Sequence, residues 1–167
     1  MSRMEIMPNL CTAANLLLGV SAITSVINYN FQLSVVLIVL AAVLDRVDGI
    51  LARRCNAVSN FGKEFDSLAD LVSFGVAPAA LLYSSALAHH LSTPGLLCFL
   101  LFTLCGALRL ARFNVTQPTP FFLGVPITAA GAILAILVFL VPSTPVVLIL
   151  SIILALLMVS SIRIPKI

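Results

Sequence analysis

No aspartate or glutamate follows Asp70, so the last 97 residues of this 167-residue chain carry no acidic side chain. A water-facing surface needs charges of both signs, and a soluble domain is about one-quarter charged. Here 9% of residues are charged and 61% are hydrophobic, with a mean hydropathy of +1.19. That balance predicts an integral membrane protein surrounded by membrane lipids, with no nucleic-acid partner.

A helix crossing about 30 Å of hydrocarbon needs roughly 20 residues. Six candidate spans follow, at about 9–29, 31–53, 62–89, 94–113, 124–141 and 144–162. Between them stand NYN at 28–30, CNAVSNFG at 55–62, HHLSTPG at 89–95, NVTQPTP at 114–120 and VPSTP at 141–145, all polar or turn-forming. Arg3, Arg53, Arg54, Lys63, Arg109, Arg112, Arg163 and Lys166 then fall on one side of the layout. The loops at 28–31, 89–94 and 141–145 hold no lysine or arginine, which predicts cytoplasmic termini and charged loops. The expected fold is an all-α integral membrane protein, a six-transmembrane-helix bundle forming a single domain over residues 1–167. Short loops leave no room for a separate soluble domain, so a catalytic site must lie among the helices.

The opening MSRMEIMPNLCTAANLLLG lacks a convincing small-residue cleavage site, and Asn15 interrupts its apolar run. It reads as a retained first span and not as a signal peptide. Cys11, Cys55, Cys98 and Cys105 form no CxxC pair and sit mostly in apolar runs, as small core or lipid-facing residues.

Against this background residues 45–75 stand out, with five of the six acids and four of the nine bases. Asp45 and Asp48 are three apart on the second predicted helix, and Asp66 and Asp70 four apart on the third. Each spacing puts two side chains on one helix face. The 54–61 segment can reverse the chain, so four carboxylates can converge from two antiparallel helices. Counted from Arg53, Asp45 lies about 12 Å below the helix end. Each buried carboxylate there costs about 2.5–3.5 kcal/mol, and like charges add to that. The group must be protonated, paired or metal-bound. Two divalent cations would neutralise it, and all-oxygen ligands favour Mg²⁺ or Mn²⁺, then Ca²⁺, over Zn²⁺. Solvated helix-end acids or an ion pathway are the competing readings. Acids are nearly absent elsewhere, and these gather toward one leaflet, where a transport pathway would spread them along the span.

Gly49, Ala52 and Gly62 share the carboxylate faces, where small residues permit close helix packing and also leave room for a ligand. Arg53 at the rim can grip a phosphate through two hydrogen bonds. Together these features suggest a lipid substrate that carries a polyphosphate.

The run Asp45-x-x-Asp48-Gly49-x-x-Ala52-Arg53, eight residues, Gly62-x-x-x-Asp66-x-x-x-Asp70 resembles the CDP-alcohol phosphotransferase signature at every fixed position. The resemblance implies that Asp45, Asp48 and Asp66 ligate a pair of metals and that Asp70 is both ligand and general base. It places Gly49 and Arg53 against the CDP part of the substrate, with Ser59 and Gly62 nearby. Asn9 and Thr12 are candidate nucleotide contacts from the first helix, with an N-terminal cap as the alternative role for them.

MPNLCTAANLLLG, LRLARFNV and FFLGVPITAAG resemble stretches of the phosphatidylserine synthase branch of that family. The match departs at Val125, Pro126, Ile127 and Thr128, where the branch reads Leu-Pro-Thr-Pro. Arg109 and Arg112, three apart on one face, could hold the carboxylate of a serine acceptor, and Asn114 is a further candidate for the acceptor pocket. Snorkelling to lipid phosphates is the competing role for the arginines, and helix capping for Asn114. His89 and His90 lie at the other membrane face, as interfacial polar residues.

The resulting expectation is a multi-pass cell-membrane enzyme whose active site faces the cytoplasm. It would move a phosphatidyl-type group from CDP-diacylglycerol, or an ether-linked archaeal analogue, to L-serine with release of CMP. Glycerol 3-phosphate or inositol phosphate are alternative acceptors, and a divalent-cation carrier is the alternative of another class. The resemblance also implies a homodimer.

Overall fold

A computed structural model describes residues 3–54, 59–88, 90–116, 121–141 and 143–165. Residues 55–58 of the expected break at 55–62 and 117–120 of the one at 114–120, with Cys55, His89 and Lys166, lie outside the described residues.

Six helical rods make up almost all of what is described. Helix α1 (Arg3–Ile27) packs along α2 (Phe31–Arg54) after a tight turn in which Tyr29 takes φ 57°. The third rod is continuous but not uniform: α3 (Asn60–Asp70) runs into a π-helical segment (Leu71–Val76) and then α4 (Ala77–Ala88). Helices α5 (Ser92–Val115), α6 (Ile127–Leu140) and α7 (Thr144–Val159) complete the bundle. Among the described residues the one departure from an all-α fold is a pair of three-residue strands. They are β1 (Phe121–Leu123) and β2 (Arg163–Pro165), antiparallel with Phe122 opposite Ile164.

Among the described residues, three stretches are long and apolar enough to cross a membrane: Asn9–Ile27, Asn60–Ala86 and Ser92–Val115. Leu17, Leu97, Leu104 and Leu156 project outward, as a hydrocarbon surround requires. The chain is built as a membrane protein. Helix α2 has the length, but Asp45, Arg46 and Asp48 interrupt its apolar run. Helices α6 and α7, of 14 and 16 residues, reach only about 21 and 24 Å, shorter than the spans expected at 124–141 and 144–162. The early part of the fifth span is not helical because Gly124 takes φ 73° and Pro126 stands at the N-cap of α6. A side chain at Gly124 would also collide with the Met158 carbonyl.

The π-helical segment has a cause in the sequence. In an α-helix the amide of residue 78 would bond the Phe74 carbonyl, but residue 78 is proline, which lacks the N–H and crowds that carbonyl. Widening to i→i+5 bonds, seen where the Ala77 amide reaches the Val72 carbonyl, relieves the clash. Gly131 of α6 packs directly on Phe74, so close that an added Cβ would overlap its carbonyl oxygen. Gly19 of α1 lies equally close to Ser73. The segment just below Asp70 is therefore clamped by two neighbouring helices.

Substituting Gly131→Val is expected to lower the midpoint of thermal unfolding in detergent by about 5–10 °C, the result of overpacking a close helix crossing. Gly49→Ala should not lower it, because a Cβ there meets nothing within 4 Å and alanine suits a helix interior better than glycine. Equal midpoints for the two variants would contradict the clamp.

Candidate active site

Asp45 on α2 and Asp66 and Asp70 on the third rod each turn one carboxylate oxygen into a common space, where the three oxygens lie within 4.8 Å of one another. The four-residue spacing on α3 sets the Asp66–Asp70 face, and the packing of the rods brings Asp45 to it. Asp70 is buried and sits at the junction where α3 gives way to the π-helical segment. The side chains of Asp48 and Arg53 lie outside the described residues. Their positions are on α2, three and eight residues after Asp45.

Two ionised carboxylates at that separation repel by about 3.5 kcal/mol at an effective dielectric of roughly 20. The counter-charge from described side chains is small. Arg109 on α5 is half-buried and close enough to Asp70 for their charges to interact, while its Nε–H has no hydrogen-bond partner. One guanidinium cannot balance three acids. Three convergent oxygens with surplus negative charge are a donor set for a hard divalent cation, and the cluster fits one.

Two neutral side chains that the motif reading left unassigned touch the cluster. Thr128, in the first turn of α6, donates from Oγ1 to Asp45 Oδ2 at 3.2 Å. Asn15, fully buried in α1, donates from Nδ2 to Asp70 Oδ1 at 3.5 Å.

Three of the residues expected at the nucleotide, Asn9, Ser59 and Gly62, meet where α1 passes the start of α3. Ser59 is the N-cap of α3, its Oγ accepting from the Gly62 amide at 3.0 Å. A Cβ on Gly62 would lie 3.2 Å from Asn9 Oδ1, so the glycine lets α1 approach. Asn9 lies six residues inside α1, which removes the capping role as an alternative, and its buried Nδ2 has no partner. Thr12 is buried one turn further on, and a Cβ added to Gly49 on α2 would meet nothing within 4 Å.

Of the residues expected at the acceptor, only Arg109 faces the acids. Arg112 donates from Nη1 to the Val159 carbonyl at 3.1 Å, closing the end of α7. Asn114 donates from Nδ2 to Glu64 Oε2 at 3.1 Å and to Ser67 Oγ at 3.0 Å, and its carbonyl accepts from Lys63 Nζ at 3.0 Å. These bonds tie α5 to α7 and to α3. His90, exposed in the turn before α5, belongs to the other end of the third rod.

A family model described as CDP-alcohol phosphatidyltransferase matches residues 5–162, nearly the whole chain. The chain belongs to the CDP-alcohol phosphatidyltransferase family. Among curated relatives, a Bacillus subtilis protein is 46% identical over 137 residues, covering 81% of this chain and 77% of that one. A Methanocaldococcus jannaschii relative is 45% identical over 130 residues, 78% of this chain and 62% of its own. A Helicobacter pylori relative is 42% identical over 136 residues, 80% of this chain and 57% of its own. All three bear the name CDP-diacylglycerol–serine O-phosphatidyltransferase.

In the sequence of this family member, the two unassigned contacts left visible traces. Asn15 is the amide that breaks the first apolar run. Thr128 stands in the stretch where the sequence departs from the Leu-Pro-Thr-Pro pattern, and the departure places a hydroxyl on Asp45. Neither trace names its partner, because each contact joins helices far apart in sequence.

Proposed function

We propose that this member of the family transfers the phosphatidyl-type group of a CDP-linked lipid to the hydroxyl of L-serine, releasing CMP. The observation that carries this reading is the gathering of Asp45, Asp66 and Asp70 into one oxygen-lined space inside an apolar bundle. The shared name of the relatives supports serine as the acceptor.

Asp70 takes the proton of the serine hydroxyl as its oxygen attacks the phosphorus nearer the lipid. The bond from that phosphorus to the bridging oxygen breaks, and CMP leaves with the electron pair. Asp45, Asp48, Asp66 and Asp70 would hold two divalent cations, Mg²⁺ or Mn²⁺, which offset charge on the pyrophosphate and the departing CMP. Gly49, Arg53, Ser59, Gly62, Asn9 and Thr12 form the CDP-lipid side. Arg109 holds the serine carboxylate, and Arg112 and Asn114 shape that side from the same helix. The bundle crosses the cell membrane six times with both termini and the site on the cytoplasmic face, as the distribution of basic residues supports. Its assembly is a homodimer, a reading that rests on the family resemblance.

Arg109→Gln tests the acceptor side. Losing a charge-assisted contact costs about 1.5–3 kcal/mol, so the KM for serine should rise about ten- to a hundredfold. The KM for the CDP-lipid should stay near wild type. An unchanged serine KM, or an equal rise in both, would remove Arg109 from this role.

A further inference from the structure

The strongest unexplained group near the aspartates is Asn15. It is fully buried in α1, in a run that otherwise reads as apolar. Its main chain is held to the segment that carries Asp70: the Ser73 hydroxyl donates to the Asn15 carbonyl at 3.0 Å, three residues beyond Asp70. Gly19, one turn further along α1, permits the close approach of Ser73. With its backbone held there, the Asn15 amide reaches Asp70 Oδ1, and its own Oδ1 is buried without a partner.

A buried amide oxygen left unpaired costs about 1–3 kcal/mol, whereas leucine would fill nearly the same volume without that cost. Packing alone therefore does not account for asparagine here. The contact to Asp70 does. An amide is also neutral: it can hold a carboxylate in one rotamer without cancelling the charge that a cation and a proton need.

Resting on the proposed transferase reading, we propose that Asn15 is a positioning residue for Asp70. It fixes the carboxylate from α1 so that the carboxylate both faces the shared oxygen-lined space and meets the acceptor hydroxyl. It touches no substrate itself. Groups that orient a metal-binding carboxylate typically contribute about 10–100-fold to metal affinity or activity.

The test uses the full chain in detergent micelles, with wild type, Asn15→Leu and Asn15→Ser side by side. Leucine preserves volume and removes polarity; serine preserves polarity but is too short to reach Asp70. Both should lower kcat about 10–100-fold and leave the KM for CDP-lipid and for serine within about threefold. Both should also weaken Mn²⁺ binding, measured by titration without substrate, about tenfold or more. Wild-type kcat and Mn²⁺ affinity in either folded variant would overturn the proposal. So would a loss of activity that appears only together with lost thermal stability. If wild type releases no CMP with serine, the transferase reading fails, and the Mn²⁺ comparison still decides whether Asn15 positions Asp70.

Discussion

Replacing Asp70 with asparagine is expected to lower the rate of CMP release at least a thousandfold while leaving the protein folded. A positioned general base contributes about 10²–10⁴-fold, and the same substitution removes an oxygen ligand from the three-carboxylate space. Asparagine keeps the shape of the side chain, so packing at the start of the π-helical segment should survive. Loss of one of three like charges should even leave the metal-free protein as stable as wild type, or more stable. A control lies six residues before Asp70: Glu64 bonds Asn114 and stands outside the cluster, so Glu64→Gln should change the rate less than about threefold. Rates from CMP release, set beside unfolding midpoints in detergent, separate the two effects. An active Asp70→Asn protein would end the assignment of Asp70 as base.

The second large effect is expected on metal removal. Chelation should bring activity to background, and Mg²⁺ or Mn²⁺ should restore it where Zn²⁺ does not, since the three converging donors among the described residues are carboxylate oxygens. Metal should also stabilise the fold. At a hundred times its dissociation constant a ligand adds about 2.7 kcal/mol, equivalent to a midpoint higher by about 5–10 °C. The size of that shift should shrink in Asp66→Asn, which keeps the bundle but removes a donor. Full activity after exhaustive chelation would contradict a metal-dependent site.

The acidic centre was legible because helix geometry is local. A spacing of four fixes a face whatever the helix packs against, so the pairing of Asp66 with Asp70 could be read from residue numbers, while Asp45 joins them through the packing of α2 on the third rod. The π-helical segment was legible only in hindsight, through Pro78 and the carbonyl it cannot serve. Thr128 and Asn15 were harder: the first bonds an acid 83 residues away and the second one 55 residues away, and no local rule sets such pairings. Arg112 and Asn114 read as candidates for the acceptor pocket, with snorkelling and helix capping as their alternatives, and their hydrogen bonds to the end of α7 and to α3 again join helices far apart in sequence. The three-residue strands were not legible in the sequence, because a pairing that short leaves no periodic signal.

The most direct test of the central claim is CMP release from CDP-diacylglycerol and its ether analogue by purified wild-type protein with Mg²⁺ or Mn²⁺. L-serine, glycerol 3-phosphate and inositol phosphate would be compared as acceptors. The account predicts release that depends on serine, with serine recovered in the lipid product. Release with another acceptor and none with serine would contradict the acceptor. No release with any acceptor, alongside Mn²⁺ movement across sealed vesicles, would contradict the transferase reading itself.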